Sequence, residues 1–269
     1  MNRALKELSE ARALSADLQV QFTKAADAAN RAVMADTDAL SVEFAREAGT
    51  AKQAVHQDVA TLQALLKVLK FDEESRLLQQ FVDRFAHYDA LDKNILDLAV
   101  ENANLKAQRL SFGPAQAAVD SFREALDGVK PASAKDEWRV RALAASALSS
   151  VREIQVLEAP HIAERDDSAM TRFEQRMASS EADARNALKT LAALVDPASR
   201  SRLSGASAAL DRFMSVNAQI IGLSRRNTNV RSLALSLNEK RPLRAACEQS
   251  LRALTDALAK RGYQRGRWE

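Results

Sequence analysis

Apolar residues recur every three or four positions along almost the whole chain, which is the spacing of amphipathic α-helices. The pattern is interrupted at few points, each marked by Gly, Pro or a short run of capping residues. Pro160 is predicted to end one of these helices, which would leave His161 in an exposed loop. The breaks predict eight helices, near residues 2–35, 38–70, 73–111, 114–128, 135–159, 167–195, 198–237 and 241–262.

The same order of predicted helices and breaks occurs twice, about 125 residues apart. The segment 90–114 can be laid over 215–239, which pairs Asn102 with Asn227. Each half then contains two long helices, a longest helix, a break and a final helix. We therefore predict an all-α protein of two tandem antiparallel four-helix bundles, residues 1–130 and 131–269, joined near the Gly128 to Ala134 stretch.

The longest helix of each half carries a seam of apolar residues with one Asn in it. A buried amide must find hydrogen-bond partners, so two explanations remain open: each Asn fixes the register of its helix, or it lines a ligand cavity. The two seams are Leu91, Ile95, Leu98, Asn102, Leu105, Arg109 and Phe112 in the first half, and Val216, Ile220, Leu223, Asn227, Val230, Ala234 and Leu237 in the second.

Arginine side chains accompany these seams. Arg109 falls on the first, while Arg225, Arg226 and Arg231 flank Asn227. Guanidinium groups bind carboxylates with two parallel hydrogen bonds, so this belt suits a small organic acid. A solvated, ion-paired helix face, with Arg109 extending to water near its helix end, is the alternative.

Composition narrows the classes of function. The 269 residues include only 7 Gly and 5 Pro, which disfavours folds with many tight turns. One Cys and three His exclude Cys-rich metal motifs, and no phosphate loop or catalytic motif is present. We expect a non-enzymatic protein with no catalytic residue, cofactor or metal. A net charge of +3 with interspersed signs predicts no nucleic-acid binding.

Two segments, LDKNILDLAVENANLKAQRLSFGP (91–114) and NTNVRSLALSLNEKRPL (227–243), resemble the extracytoplasmic four-helix-bundle and helical bimodular sensor domains of bacterial methyl-accepting chemotaxis receptors. The resemblance implies that a small ligand, an organic acid or amino acid, binds between helices and that a small helix shift relays the signal. It implies a periplasmic or membrane-associated location. The ligand-binding residues that it transfers are Asn102, Arg109, Arg225, Arg226, Asn227 and Arg231.

A second function class fits the same sequence. A structural or adaptor protein would bind another protein through its helix faces, and a homodimer is among the partners we consider. No segment of the sequence is apolar enough to cross a membrane, so membrane contact would require segments absent from this chain. If the chain is complete as given, a cytoplasmic location is expected.

Overall fold

A computed structural model describes residues 3–265 of the chain, and nearly all of them are helical. Apart from one isolated bridge, these residues form no β-structure, so the predicted all-α class is confirmed. Two π-helices interrupt the α-helices, π1 (Ser111–Ala115) and π2 (Ser236–Lys240). The α-helices are α1 (Arg3–Met34), α2 (Asp38–Leu69), α3 (Asp72–Glu101), α4 (Ala103–Leu110), α5 (Gln116–Asp127), α6 (Glu137–Ala163), α7 (Asp167–Ala192), α8 (Arg200–Arg226), α9 (Thr228–Leu235) and α10 (Arg241–Arg265).

The two longest predicted helices are each broken where the sequence analysis expected continuity. α3 ends at Asn102 and α8 ends at Asn227, and both residues adopt the left-handed conformation, with φ of 51° and 55°. A short helix, a π-helix and a further helix follow each Asn. The 125-residue repeat therefore extends to the bounds of α4 and α9 and of π1 and π2.

The chain forms two compact units whose limits differ from the predicted halves, 1–130 and 131–269. Unit 1 takes the chain up to Asn102 and again from Arg231 onward, and unit 2 consists of Ala103–Val230. The chain thus enters unit 2 directly after Asn102 and returns to unit 1 between Val230 and Arg231, within α9, rather than at the Gly- and Pro-containing stretch. Unit 2 is inserted into unit 1, so the two units are not consecutive in sequence.

The predicted linker from Gly128 to Ala134 belongs to unit 2. Its backbone pairs with the stretch after α7: the Ala132 amide donates to Leu194 O at 2.8 Å, and the Asp196 amide donates to Lys130 O at 3.0 Å. Gly and Pro serve here as the turn residues of a packed connection, not as a flexible joint between domains.

Each unit has its own apolar core. In unit 1, α1, α2, α3 and α10 enclose an aromatic cluster in which Phe22 contacts Phe81, Phe85 and Tyr88 edge-on, with ring centroids 5.2 to 6.0 Å apart. In unit 2, the core is built from α4 to α8 and contains mainly Ala, Leu, Val and Ile together with Phe122 and Phe213. The Ala residues allow helices to approach closely, which explains the Ala-rich composition.

The outward faces of the helices are charged. Ion pairs one turn apart are common, as between Arg141 and Glu137 at 2.7 Å and between Arg185 and Glu181 at 2.8 Å. Within residues 3–265, no helix combines the length and the apolar character that spanning a bilayer requires.

Candidate functional site

Asn102 and Asn227 are helix C-caps as well as buried residues. Their exposed fractions are 0% and 7%, which confirms the prediction that both lie inside the protein. Among non-glycine residues, Asn is one of the few that tolerate the left-handed conformation, because its short side chain bonds locally. The residue type at these two positions is therefore explained by backbone geometry, which neither of the two sequence-based explanations considered.

In unit 2, the first turns of α4 and α9 exchange hydrogen bonds. The backbone N–H of Asn104 donates to the side-chain Oδ1 of Asn229 at 3.2 Å, and the backbone N–H of Asn229 donates to the side-chain Oδ1 of Asn104 at 3.1 Å. The Ala103 amide donates to Thr228 Oγ1 at 3.0 Å. These bonds satisfy backbone donors that a helix N-terminus leaves without a partner in its own helix.

The side-chain amides of Asn104 and Asn227 extend this network to the end of α6. Asn104 Nδ2 donates to Asn227 Oδ1 at 3.0 Å and to Ile162 O at 2.7 Å. Asn227 Nδ2 donates to Glu164 O at 2.7 Å. The Asn227 amide is thus engaged by protein on both its oxygen and its nitrogen, so its role is to join helix ends.

The residues of the predicted arginine belt are divided between the two units. Arg225 is half-buried, and its guanidinium is held within unit 2 by Glu174 at 2.7 Å and Thr171 at 2.8 Å. Arg109 and Arg226 are exposed residues of unit 2, whereas Arg231 is an exposed residue of unit 1. Unit 1 also contains Asn102. Within neither unit does the structure bring these side chains to one cavity.

A buried Ser–His–Glu cluster joins α6, α7 and α8. His161 Nδ1 lies 2.8 Å from Ser224 Oγ, and His161 Nε2 lies 2.8 Å from Glu174 Oε1. The Ser224 hydroxyl donates to the carbonyl of His161 at 2.8 Å, so its proton is not directed at the imidazole. Ser224 and His161 are both 0% exposed, so the Ser–His pair is enclosed by protein. The cluster therefore acts as a clamp between helices.

The placement of His161 corrects the sequence analysis. α6 continues through Pro160 to Ala163, and His161 is buried, not in an exposed loop. Pro160 removes one backbone donor only three residues before the end of the helix. The hydrogen bonds of the His161 side chain, together with those of Ile162 O and Glu164 O, hold this last turn in place.

A cleft with apolar and charged walls lies in unit 1, between α1 and the segment from α9 to α10. It has a volume of about 570 Å³. Its walls carry apolar side chains, three cations and one carboxylate: Val33, Met34, Leu233, Leu237 and Ala245 are apolar, Asn30 and Ser236 are polar, Lys240, Arg241 and Arg244 are cations, and Glu248 is the carboxylate. Met34 and Leu237 are exposed by 72% and 58%. We call this the unit 1 cleft.

The floor of the unit 1 cleft rests on a buried ion cluster. Lys240 is the last residue of π2, and its ammonium contacts Asp92 at 3.0 Å. Asp92 also accepts from Lys52 at 3.1 Å, and Lys52 contacts Asp89 at 2.8 Å. Burial disfavours the Lys52 ammonium, but Asp92 and Asp89 outweigh it and raise the pKa of Lys52. The cluster, Lys52, Asp89, Asp92 and Lys240, balances its own charges.

Two of the cations on the cleft wall differ in how they are paired. Arg244 contacts Asp27 at 3.1 Å and Glu248 at 2.9 Å, so its charge is largely compensated. Arg241 lies exposed at the start of α10, on the rim of the cleft. Among the described residues, no group of three or more His, Cys, Asp or Glu is arranged to hold a metal ion.

Comparison with protein-family models, with curated proteins and with solved structures finds no match for this chain.

Sequence reasoning missed the residues of the unit 1 cleft. Asp92 follows Leu91, which was assigned to the seam, and the structure buries Asp92 fully, next to a seam position. Lys240 was not among the residues that the sequence analysis singled out. A signal was available: Asp89 and Asp92 stand three residues apart next to a predicted core stripe, a placement that requires cationic partners.

Proposed function

We propose that this chain is a non-enzymatic helical binding module that takes a small organic anion with an apolar body in the unit 1 cleft. The observation that carries the proposal is the combination, in one cleft of about 570 Å³, of apolar walls with the cations Lys240, Arg241 and Arg244. Ligand sites in proteins have volumes of this order and are mainly apolar with a few placed polar groups.

The charges assign different roles to the three cations. Lys240 is fixed by Asp92, and Arg244 is compensated by two carboxylates. Arg241 is the cation that can bind an incoming carboxylate through two parallel hydrogen bonds, since the described residues show no ion pair for it. Met34 and Leu237 supply exposed apolar surface that a ligand body would cover.

A sensor role is part of this proposal. In it, two four-helix bundles, as in the chemoreceptor domains that the sequence resembles, bind the ligand and pass on a helix displacement. The support for this is that π2 forms one wall of the unit 1 cleft and leads directly into α10. A π turn is a frequent feature of functional sites in helices.

The test is a screen of aliphatic and aromatic carboxylates by thermal shift, followed by calorimetry of each hit. A ligand at 100 times its Kd stabilises the folded state by about 2.7 kcal/mol. Arg241→Gln should weaken binding by about 10- to 100-fold, because a charge-assisted hydrogen bond is lost. Arg76→Gln, an equal charge change on an exposed residue outside the cleft, is the matched control.

The outcomes separate this cleft from the predicted belt. If a carboxylate binds and Arg226→Gln with Arg231→Gln abolishes binding while Arg241→Gln does not, the site is the belt. If no carboxylate shifts the melting temperature, the proposal of a small organic anion is wrong.

A protein-binding adaptor is the second candidate. It is favoured by large apolar side chains at the surface of unit 2, where Phe112, Trp138 and Val156 are each more than 70% exposed. Single exposed apolar residues are common, so the measurement that decides is association. Sedimentation of the wild type and of Phe112→Ser over a range of concentrations would reveal a self-associating face.

A further inference from the structure

Glu158 is a carboxyl group enclosed in the core of unit 2. It lies on α6 and is 0% exposed. Its Oε2 accepts from the Ser111 hydroxyl at 2.5 Å, whereas its Oε1 is buried without a hydrogen-bond partner. An ionised carboxylate has about four acceptor positions to fill, and a single donor satisfies few of them. The site therefore suits a neutral carboxylic acid better than an anion.

The charged groups on the elements packed against α6 do not compensate Glu158. On α6 itself, His161 is held by Glu174 of α7, and Glu174 is shared with Arg225 of α8. On α4, Lys106 is half-buried and Arg109 is exposed, and on α5, Asp120 and Arg123 pair with each other at the surface. Burial and the Ser111 hydrogen bond are the causes of the shifted pKa of Glu158, and no charged side chain contributes to it.

Burial raises the pKa of Glu158 to about 7, and the Ser111 hydrogen bond only partly opposes this. In an unfolded chain the same carboxyl titrates near its ordinary value of about 4.3. The folded protein therefore binds this proton more tightly than the unfolded chain does. Stability falls as pH rises from the unfolded to the folded value, and the full loss is present above pH 7.

The single partner of Glu158 begins a π-helix. Ser111 is the first residue of π1, and π1 contains Pro114, which has no backbone donor. Only part of the main-chain hydrogen bonding of an α-helix is available in such a segment, so the contact of Ser111 with Glu158 is one of the bonds that fixes it.

We propose that Glu158 is a proton-binding switch, whose protonation closes the core of unit 2 and whose ionisation loosens π1 against α6. The ligand of this site is the proton. A buried carboxylate with one unpartnered oxygen gains solvation by admitting water. In π1, which adjoins α6, Pro114 supplies no backbone donor.

The experiment measures urea unfolding of the full chain between pH 5 and pH 8 for wild type and Glu158→Gln. Gln keeps an acceptor for Ser111 and has no proton to lose. The wild-type unfolding equilibrium constant should rise by roughly 10- to 100-fold more than that of Glu158→Gln over this range. Glu153→Gln, on the exposed face of the same helix, should keep the wild-type pH dependence.

A second measurement reads the switch directly and does not depend on the Gln variant folding. The carbon-13 shift of the Glu158 carboxyl should titrate near pH 7 in the wild type, and at higher pH in Ser111→Ala. Amide exchange at Phe112 and Gly113, corrected for intrinsic rates, should accelerate above that midpoint while exchange in mid-α8 does not. A midpoint near pH 4, or equal pH dependence of wild type and Glu158→Gln, would overturn the proposal.

Discussion

The left-handed backbone of Asn227 leads to a prediction with an unusual sign. In a helix interior, Ala is more stable than Gly by about 1 kcal/mol. At φ of 55°, the order should reverse, because the Cβ of Ala costs about 1–2 kcal/mol in this region and Gly pays nothing for it. Replacing Asn227 by Gly and by Ala therefore separates backbone strain from loss of the side chain.

The side-chain contribution can be worked from its two bonds. Both variants lose the contacts of Asn227 with Asn104 and with Glu164 O, each worth about 1 kcal/mol. Asn227→Gly should thus lower the free energy of unfolding of unit 2 by about 2 kcal/mol. Asn227→Ala should lower it by about 3 kcal/mol, since the strain adds to the same loss.

The matched control is Asn217, on the same helix. It is buried in mid-α8, and its amide nitrogen contacts only the sulfur of Met177, at 3.8 Å, among the bonds described. There, Ala should be the better replacement. The four variants are Asn227→Gly, Asn227→Ala, Asn217→Gly and Asn217→Ala. Their free energies of unfolding are measured by urea denaturation, with hydrogen exchange of unit 2 amides as the local readout. If Ala is as good as Gly at position 227, the backbone argument is refuted.

Other predictions concern unit 1. Asp92→Asn should cost about 3–5 kcal/mol in urea unfolding, because the buried ammonium of Lys240 loses its counter-charge, whereas Asp97→Asn, on the exposed face of the same helix, should change stability by less than about 0.5 kcal/mol. Lys240→Met should lower the free energy of unfolding less than Asp92→Asn does, because Lys52 still neutralises Asp92. An equal or larger decrease for Lys240→Met would contradict this. The hydrogen bonds from Arg261, at 2.7 and 2.8 Å, outweigh burial and lower the pKa of Glu74, so the stability they contribute is present above the ordinary glutamate pKa and is lost as pH falls below it; thermal unfolding of Glu74→Gln from pH 5 to pH 2.5 should lack that acid-induced loss.

Helix periodicity predicted most of the fold but not the path of the chain between units. The apolar spacing is the same before and after Asn102, so the sequence indicated one continuous helix. The left-handed residue ends α3 without any Gly or Pro. An Asn at equivalent places of a repeat is itself a signal for such a residue, because few other side chains tolerate this conformation.

The sequence analysis placed a helix end at Pro160 and a domain boundary near Gly128, and the structure has neither. Pro160 lies within α6, and the stretch around Gly128 is paired to the chain near Leu194 in unit 2. In both places tertiary hydrogen bonds compensate the local break. Single-sequence reasoning sees the break but not the partner that removes its effect.

The candidate site could be predicted only in part. Burial of Asn227 followed from the seam, whereas the cleft near Arg241 did not, because it depends on π2 and on side chains from α1 brought together by folding. The cations near Asn227 looked like a belt because they are close in sequence. In three dimensions, a helix distributes neighbouring residues around its axis, about 100° apart.

The two π-helices also bear on how the length of this chain can vary. A π turn contains one residue more than the α-helical turn that it replaces. Deleting Gly113, where a side chain would meet open space, would restore α-helical spacing between α4 and α5, but it would place Pro114 in a helix interior at a cost of about 3 kcal/mol. The same deletion in the middle of α8 would turn every later side chain of that helix by about 100°. Natural single-residue deletions should therefore occur in π1 together with replacement of Pro114, and they should be absent from the middle of α8.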